Sequence, residues 1–331
     1  MTILNSRTLR AILLLSLLTL AFAASAGAQG TAPWQNWQTS LQAGHTLAGK
    51  IWSARERRFV TPRLLVDELA EAEYVLIGEI HDNADHHRLQ AWLIDQIATG
   101  RKPAVVMEMI SVDQSKALET YLAEPDANAA DLGPALSWGK RGWPDWPIYK
   151  PIAEAAFRAG LRLLPAGPSR AAVQDVSSHG LDSIEGTERK RLGLDRPLPP
   201  KLGEALRQDI KESHCDLLPE ALFGPMTQVQ RYRDAKLASA LVEADKGNGA
   251  ILIAGNGHVR SDRGVPWYLA RQAVEARISS VMLLEITGDA RTVADLAITD
   301  PDGDPAADYF WFTPRAERQD QCEKIRRHFE K

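Results

Sequence analysis

Five short apolar runs constrain this chain more than anything else in it. They are Tyr74-Val75-Leu76-Ile77, Ala104-Val105-Val106-Met107, Leu161-Arg162-Leu163-Leu164-Pro165, Ala250-Ile251-Leu252-Ile253-Ala254 and Val281 to Ile286. Apart from Arg162 and Glu285, they show no polar alternation. A strand with that pattern is buried on both faces, as in a parallel sheet. Between the runs lie segments with helical spacing, such as Ala84 to Ala98, where Leu89, Trp92, Leu93 and Ile97 share a face. Strands alternating with helices predict an α/β fold, a mostly parallel sheet with helices on both faces. Tyr309 to Phe312 adds a sixth strand, Lys50 to Val60 a short hairpin, and Pro62 to Glu71 a helix.

Two segments interrupt the alternation. Residues 124–149 are rich in Pro, Gly and Trp, with Trp138, Trp143 and Trp146 among them. Exposed Trp is costly, so an ordered loop is expected there, followed by a helix over Ile152 to Ala159. Residues 168–246 contain no convincing strand and are read as a mostly helical insertion, with a long helix from Thr227 to Ala244.

The N-terminus has the layout of a secretory signal peptide: Arg7 and Arg10, an apolar run from Ala11 to Phe22, then Ala26-Gly27-Ala28. Residues 1–28 are expected to be removed, leaving a single α/β domain over 29–331 that begins near Gln29. The apolar run is short for a span, which needs about 20 residues. The first cysteine is Cys215, so no lipid anchor is expected, and the protein is placed in the periplasm. In that oxidising compartment Cys215 and Cys322 can pair, although two cysteines alone do not decide it. The formal net charge of −4 argues against nucleic acid as a partner.

In a parallel sheet, ligands bind outside the carboxyl ends of the strands. That rule collects Glu79 and His81, Glu108, Gly167, and Asn256 and His258 on one edge. His81, His86 and His87 fall within seven positions of one another, and His86 shares a helix face with Gln90. At least one of these histidines is expected to pack or cap instead of binding. A carboxylate next to a buried strand needs a partner. Glu79 and Glu108 can therefore accept backbone N–H groups, act as general bases, or join His81 and His258 around a divalent transition metal. Gly255-Asn256-Gly257-His258 lacks the Lys of a P-loop and the third glycine of a dinucleotide turn.

Gly78-Glu79-Ile80-His81-Asp82-Asn83 followed by His86-His87-Arg88-Leu89-Gln90 resembles the opening motif of the ChaN-like haem-binding uptake family. Further pieces agree in order: Val106-Met107-Glu108-Met109; Trp143-Pro144-Asp145-Trp146 with Tyr149 and Pro151; Arg233-Asp234; and Gly255-Asn256-Gly257-His258-Val259 with Gly264-Val265-Pro266. The resemblance covers roughly Tyr74 to Ile286. It implies a haem-binding protein serving haem or iron uptake, beside a TonB-dependent haem receptor or a haem permease. A haem shared between two copies would make a homodimer. Haem needs an apolar slot, an iron ligand and partners for its propionates. Tyr can hold haem iron; Tyr149 is the first candidate, Tyr268 the second and Tyr232 the third. His81, His86 and His258 can ligate iron or bond propionates, and Arg88 and Arg233 can pair with propionates.

The family is similar to a wider group that includes erythromycin esterases and Tiki/TraB-like peptidases. Hydrolysis is therefore the alternative expectation, with Glu79, His81 and Glu108 as base or ligands. A non-catalytic module docking on a haem receptor or permease through the Trp-rich loop is the third.

Overall fold

The computed structural model describes residues 32–320 together with 322, 323 and 326. The expected signal peptide lies outside them. One eight-stranded sheet organises the chain. Its strands are β1 (Ile51–Ser53), β2 (Arg58–Val60), β3 (Tyr74–Glu79), β4 (Ala104–Ser111), β5 (Leu163–Gly167), β6 (Ala250–Gly255), β7 (Ile278–Glu285) and β8 (Tyr309–Thr313). The spatial order is β2-β1-β8-β7-β3-β6-β4-β5. β8, β7, β3, β6, β4 and β5 run parallel, and only the pairings of β1 with β2 and with β8 are antiparallel. The α/β reading of the apolar runs is the architecture found.

Ten helices accompany the sheet: α1 (Pro62–Glu71), α2 (Ala84–Ile97), α3 (Ser115–Leu122), α4 (Ala129–Ala135), α5 (Trp146–Arg158), α6 (Arg170–His179), α7 (Gly186–Arg191), α8 (Pro200–Ser213), α9 (Phe223–Ala244) and α10 (Val265–Gln272), counted among the described residues. None of them is long and apolar enough to cross a membrane.

Alternate strand residues feed two cores. Val75, Ile77, Val105, Met107, Ile251 and Ile253 pack with α2 and α5 on one face. Tyr74, Leu76, Val106, Leu252 and Ala254 pack with α9 and α10 on the other. Two buried faces explain why the strands carry no polar alternation.

The chain between β5 and β6 is helical, α6 to α9, as the absence of strand pattern suggested. Residues 124–149 differ from the expected loop, because they contain α4 and the start of α5. α5 begins at Trp146, six residues before the expected start at Ile152. Pro147 occupies its first turn, where the missing N–H has no helical acceptor to lose. The Pro-rich composition there marks a helix start.

Cys215 and Cys322 form a disulfide, with Cα atoms 5.5 Å apart. The sequence had left this pairing open. The segment leading to Cys322 is also held by Arg318. Its guanidinium bridges Asp82, at 2.7 and 2.8 Å, and Glu285, at 2.6 and 2.7 Å. Glu285 Oε1 in turn accepts from Asn83, at 2.7 Å. The C-terminal segment thus lies across the turn that follows β3.

Candidate functional site at the carboxyl edge of the sheet

Strand register sets the geometry. Glu79 on β3 pairs with Gly255 on β6, and Met107 on β4 pairs with Ile253. Glu79 and Glu108 therefore emerge at similar height on either side of β6. Gly255 N donates to Glu108 Oε2 at 2.9 Å. The His81 ring lies over the same glycine: a Cβ on Gly255 would sit 3.1 Å from His81 Nε2. β3 also needs its glycine. A Cβ on Gly78 would stand 2.4 Å from Asn256 Oδ1 and 2.5 Å from Val259 Cγ2. Asn256 is fixed by its bond to Leu283 O, 2.7 Å, so it cannot swing aside freely. Gly78→Ala is expected to cost about 1–3 kcal/mol through overpacking. Chemical denaturation checks this, and an unchanged midpoint would mean that the β3–β6 edge relaxes easily.

Two polar networks meet here. In the first, His81 Nδ1 lies 2.7 Å from Glu79 Oε1. The Tyr149 hydroxyl is 3.3 Å from the same nitrogen and 3.5 Å from the same oxygen. His87 Nδ1 is 3.1 Å from Glu79 Oε2, close enough for charge interaction. It is not aligned as a hydrogen bond, and Glu79 Oε2 is buried without such a partner. The His87 ring stacks on Tyr149 at 4.0 Å and its Nε2 donates to His81 O at 3.1 Å. Burial pulls the His81 pKa down, but the hydrogen bond and charge of Glu79 outweigh it, so the net shift is upward.

The second network is a buried chain of Asp234, His258 and Glu108. His258 Nδ1 is 2.6 Å from Asp234 Oδ1, and Nε2 is 3.1 Å from Glu108 Oε1. Burial opposes the imidazolium, yet the two carboxylates push its pKa up to about 10. For Glu108, burial acts upward, but the charge and hydrogen bond of His258 prevail and hold the carboxyl well below the usual carboxylate range. Burial raises Asp234 despite the same histidine.

Beside these networks opens a cleft of about 510 Å³ between the Trp-rich segment, the end of β5 and α9. Glu108, Met109, Trp143, Val173 and Leu237 line it, and Lys140, Arg141, Arg170 and Arg233 bring charge to it. Its size falls within the range of small-molecule sites, about 300–1,000 Å³. The His81 ring packs against Trp143, centroids 4.9 Å apart, and the His81 side chain is 35% exposed.

Other expected residues lie elsewhere or are committed. All six tyrosines of the chain are buried. Tyr149 reaches the site, but its hydroxyl is enclosed by Glu79 and His81. Burial and then the carboxylates of Glu79 and Glu108 push the phenol pKa upward. Tyr268 lies in the opposite core; Arg231 donates to its hydroxyl at 3.1 Å, and its pKa is pushed up to about 12, chiefly by burial. Tyr232 is in that same core.

His86 is a structural residue. It accepts from Ile80 N at 2.9 Å and meets Thr313 Oγ1 at 2.7 Å. Burial, then His87 and Arg318, drive its pKa well down. Arg88 points away from the cleft and ties Asp85 to Asn36 O, each at 2.7 Å. His258 is spent on its two carboxylates. The four-residue metal set Glu79, His81, Glu108 and His258 does not converge. Among the described residues no group of three or more His, Cys, Asp or Glu side chains could hold a metal ion.

Asp234, Gln230, Lys140, Arg141 and Arg170 had no individual weight in the sequence. Arg170 had a usable signal, because it follows the strand end Gly167 by three residues. Asp234 had only its place in the family motif, since nothing local shows that α9 returns over β4 and β6.

This architecture is an α/β fold with a basic cleft, bordered by Trp143, at the carboxyl edge of a parallel sheet. The sequence matches the family model described as haem-binding uptake, Tiki superfamily, ChaN, over residues 65–269. That is well over half of the chain, and the protein belongs to this family. A solved structure of ChaN from Campylobacter jejuni, described for its cofacial haem binding, is similar in fold, with a TM-score of 0.60 and 19% identity. The match covers 79% of this chain and 95% of that one. A mutant erythromycin esterase EreC in its open conformation matches at a TM-score of 0.43 and 13% identity, covering 82% of this chain and 99% of that one. That likeness is too distant to carry an argument. No curated protein matches the sequence.

Proposed function

We propose that this protein binds haem at the Trp143 cleft and serves haem or iron uptake in the periplasm, handing its ligand to or from a haem receptor or permease. The observation that carries the reading is the arrangement of His81. With Nδ1 directed at Glu79, Nε2 is the nitrogen left to a ligand; it lies over Gly255, and the ring packs against Trp143 of the cleft wall. A histidine oriented by a carboxylate on its far nitrogen is the usual form of a metal-binding imidazole. Trp143 and Met109 supply apolar surface beside it, and the cleft carries cations for propionates. These residues fit haem in donor set and charge. Bound there, haem would supply a redox-active iron with a coordination position for His81. Glu79 holds the imidazole tautomer, and Tyr149 and His87 pack behind it. The iron ligand in this reading is His81, in place of the expected Tyr149, because no tyrosine is accessible.

A haemin titration followed by absorbance tests this. Wild type is expected to give a saturable, stoichiometric spectrum. His81→Ala should shift that spectrum and weaken binding, and Glu79→Gln should cost about 10–100-fold in affinity. Tyr149→Phe should leave the ligation spectrum in place. Loss of the spectrum in Tyr149→Phe alone would return the ligand to tyrosine. No saturable binding in wild type would end the haem reading.

The hydrolytic alternative has weaker support. Glu108, ionised and held by His258, is a poor general base near neutrality, where a pKa close to the working pH is most effective.

A further inference from the structure

The charges that line the cleft are unevenly paired. Two carboxylates line it, Glu108 and Asp113. Both are already spoken for. Glu108 is paired with His258, which it shares with Asp234, and bound by Gly255 N. Asp113 accepts the backbone N–H of Arg170 at 2.8 Å. Four cations remain: Lys140, Arg141, Arg170 and Arg233. Among the described residues, the side chains of Lys140, Arg141 and Arg170 meet no carboxylate. Arg233 has one only at 4.0 Å, Glu108 Oε1, and its Nε is buried with no hydrogen-bond partner.

Elsewhere the arginines of this acidic protein are commonly paired, as Arg318, Arg263 and Arg158 are. Unspent cations gathered on one concave surface make a field for anions, and arginine forks match carboxylates in a bidentate way. The two sides also differ in kind. Lys140 and Arg141 stand on the Trp-rich segment, whereas Arg170 and Arg233 stand on α6 and α9 across the cleft.

We infer that this quartet is a two-sided carboxylate clamp, which selects an apolar ligand bearing two acidic tails and holds it by those tails independently of any metal. The inference rests on the haem reading for the identity of the tails as porphyrin propionates. Arg233 is the inner contact. Its buried Nε gains a partner when a carboxylate enters, and the three exposed cations close over the tails at the rim. His81 and the clamp therefore make separable contributions.

The experiment uses the mature protein and metal-free protoporphyrin IX, which keeps both carboxylates and lacks iron. Binding is read by porphyrin fluorescence. The triple variant Lys140→Ala, Arg141→Ala, Arg170→Ala removes exposed side chains and should fold normally. It is expected to weaken protoporphyrin IX by at least about tenfold, as loss of a charge-assisted hydrogen bond would. Arg233→Gln should do the same, whereas Arg63→Ala, on the exposed face of α1, should not. Protoporphyrin dimethyl ester should bind wild type and triple variant alike, and weakly. Raising the salt should weaken the free acid more than the ester.

Equal affinity of wild type and triple variant for protoporphyrin IX would overturn the clamp, and so would an ester that binds wild type as tightly as the free acid. Either result, together with saturable haemin binding, would leave the haem reading standing. Cation-dependent porphyrin binding without a haemin ligation spectrum would uphold the clamp and remove His81 as iron ligand. Binding of neither compound would remove both.

Discussion

His258→Ala is expected to lower the unfolding free energy by about 3–5 kcal/mol, the usual result of removing one partner from a buried charged network. The histidine sits between two buried carboxylates, Asp234 and Glu108. Without it, both are left in a low-dielectric site, with Gln230, the Gly255 N–H, the distant Arg233 and the charge of His81 as the remaining support among the described residues. Protonating one of them would recover part of the loss, so the variant should be least destabilised in acid. Urea denaturation of both proteins across pH measures this directly.

The sign of the pH dependence follows from the shifts. His258 is raised from 6.5 to about 10 in the folded protein. Its contribution is complete below about pH 6.5 and is lost as pH rises through about 10. Glu108 is lowered from 4.5, so its contribution is complete above that value and is lost on acidification toward its depressed pKa. Asp234 is shifted upward and offsets part of this. Wild type should therefore be most stable from this network between about pH 4.5 and 6.5, with an alkaline decline that His258→Ala lacks. A variant that loses less than about 1 kcal/mol would show that water reaches the carboxylates and that the network is not buried in solution.

Removing the disulfide should have a comparable effect. Cys215 and Cys322 are 107 positions apart. In the chain-entropy account, a bridge closing about 100 residues restricts the unfolded state by about 4.7 kcal/mol. The double variant Cys215→Ser, Cys322→Ser is expected to lose about 3–5 kcal/mol in denaturant, and thiol-reduced wild type should match it. Two reactive thiols in unreduced wild type would show that the bond is absent. The bridge also has a local consequence. It fixes the segment carrying Arg318, whose guanidinium grips Asp82 beside His81. The turn after β3 is thus tied through Arg318 and Cys322 to the end of α8, where Cys215 and Asp216 both adopt φ of 59°.

Much of the architecture was legible because its causes are local. Apolar runs such as Tyr74 to Ile77 identify strands buried on both faces, since any polar alternation would have exposed one of them. Helix α1 begins where Thr61 caps it and Pro62 opens it, both readable signals. That Glu79, Glu108 and His258 share one edge of the sheet followed from one rule about strand ends, and the strand register sets their heights along it.

What the tertiary structure decided is which of the polar residues are free. His81 and His86 are near neighbours in similar company, yet one presents its ring at a cleft and the other is buried against Thr313 from β8. Tyr149 carries every sequence credential of an iron ligand and is enclosed by α2 and the Trp-rich segment. Asp234 finds His258 across 24 positions, Arg318 finds Asp82 across 236, and Cys215 finds Cys322 across 107. Hydrophobic periodicity repeats along the chain and can be read within a window. A hydrogen bond or an ion pair has one partner, placed by the path of the whole chain, and no window of sequence contains it.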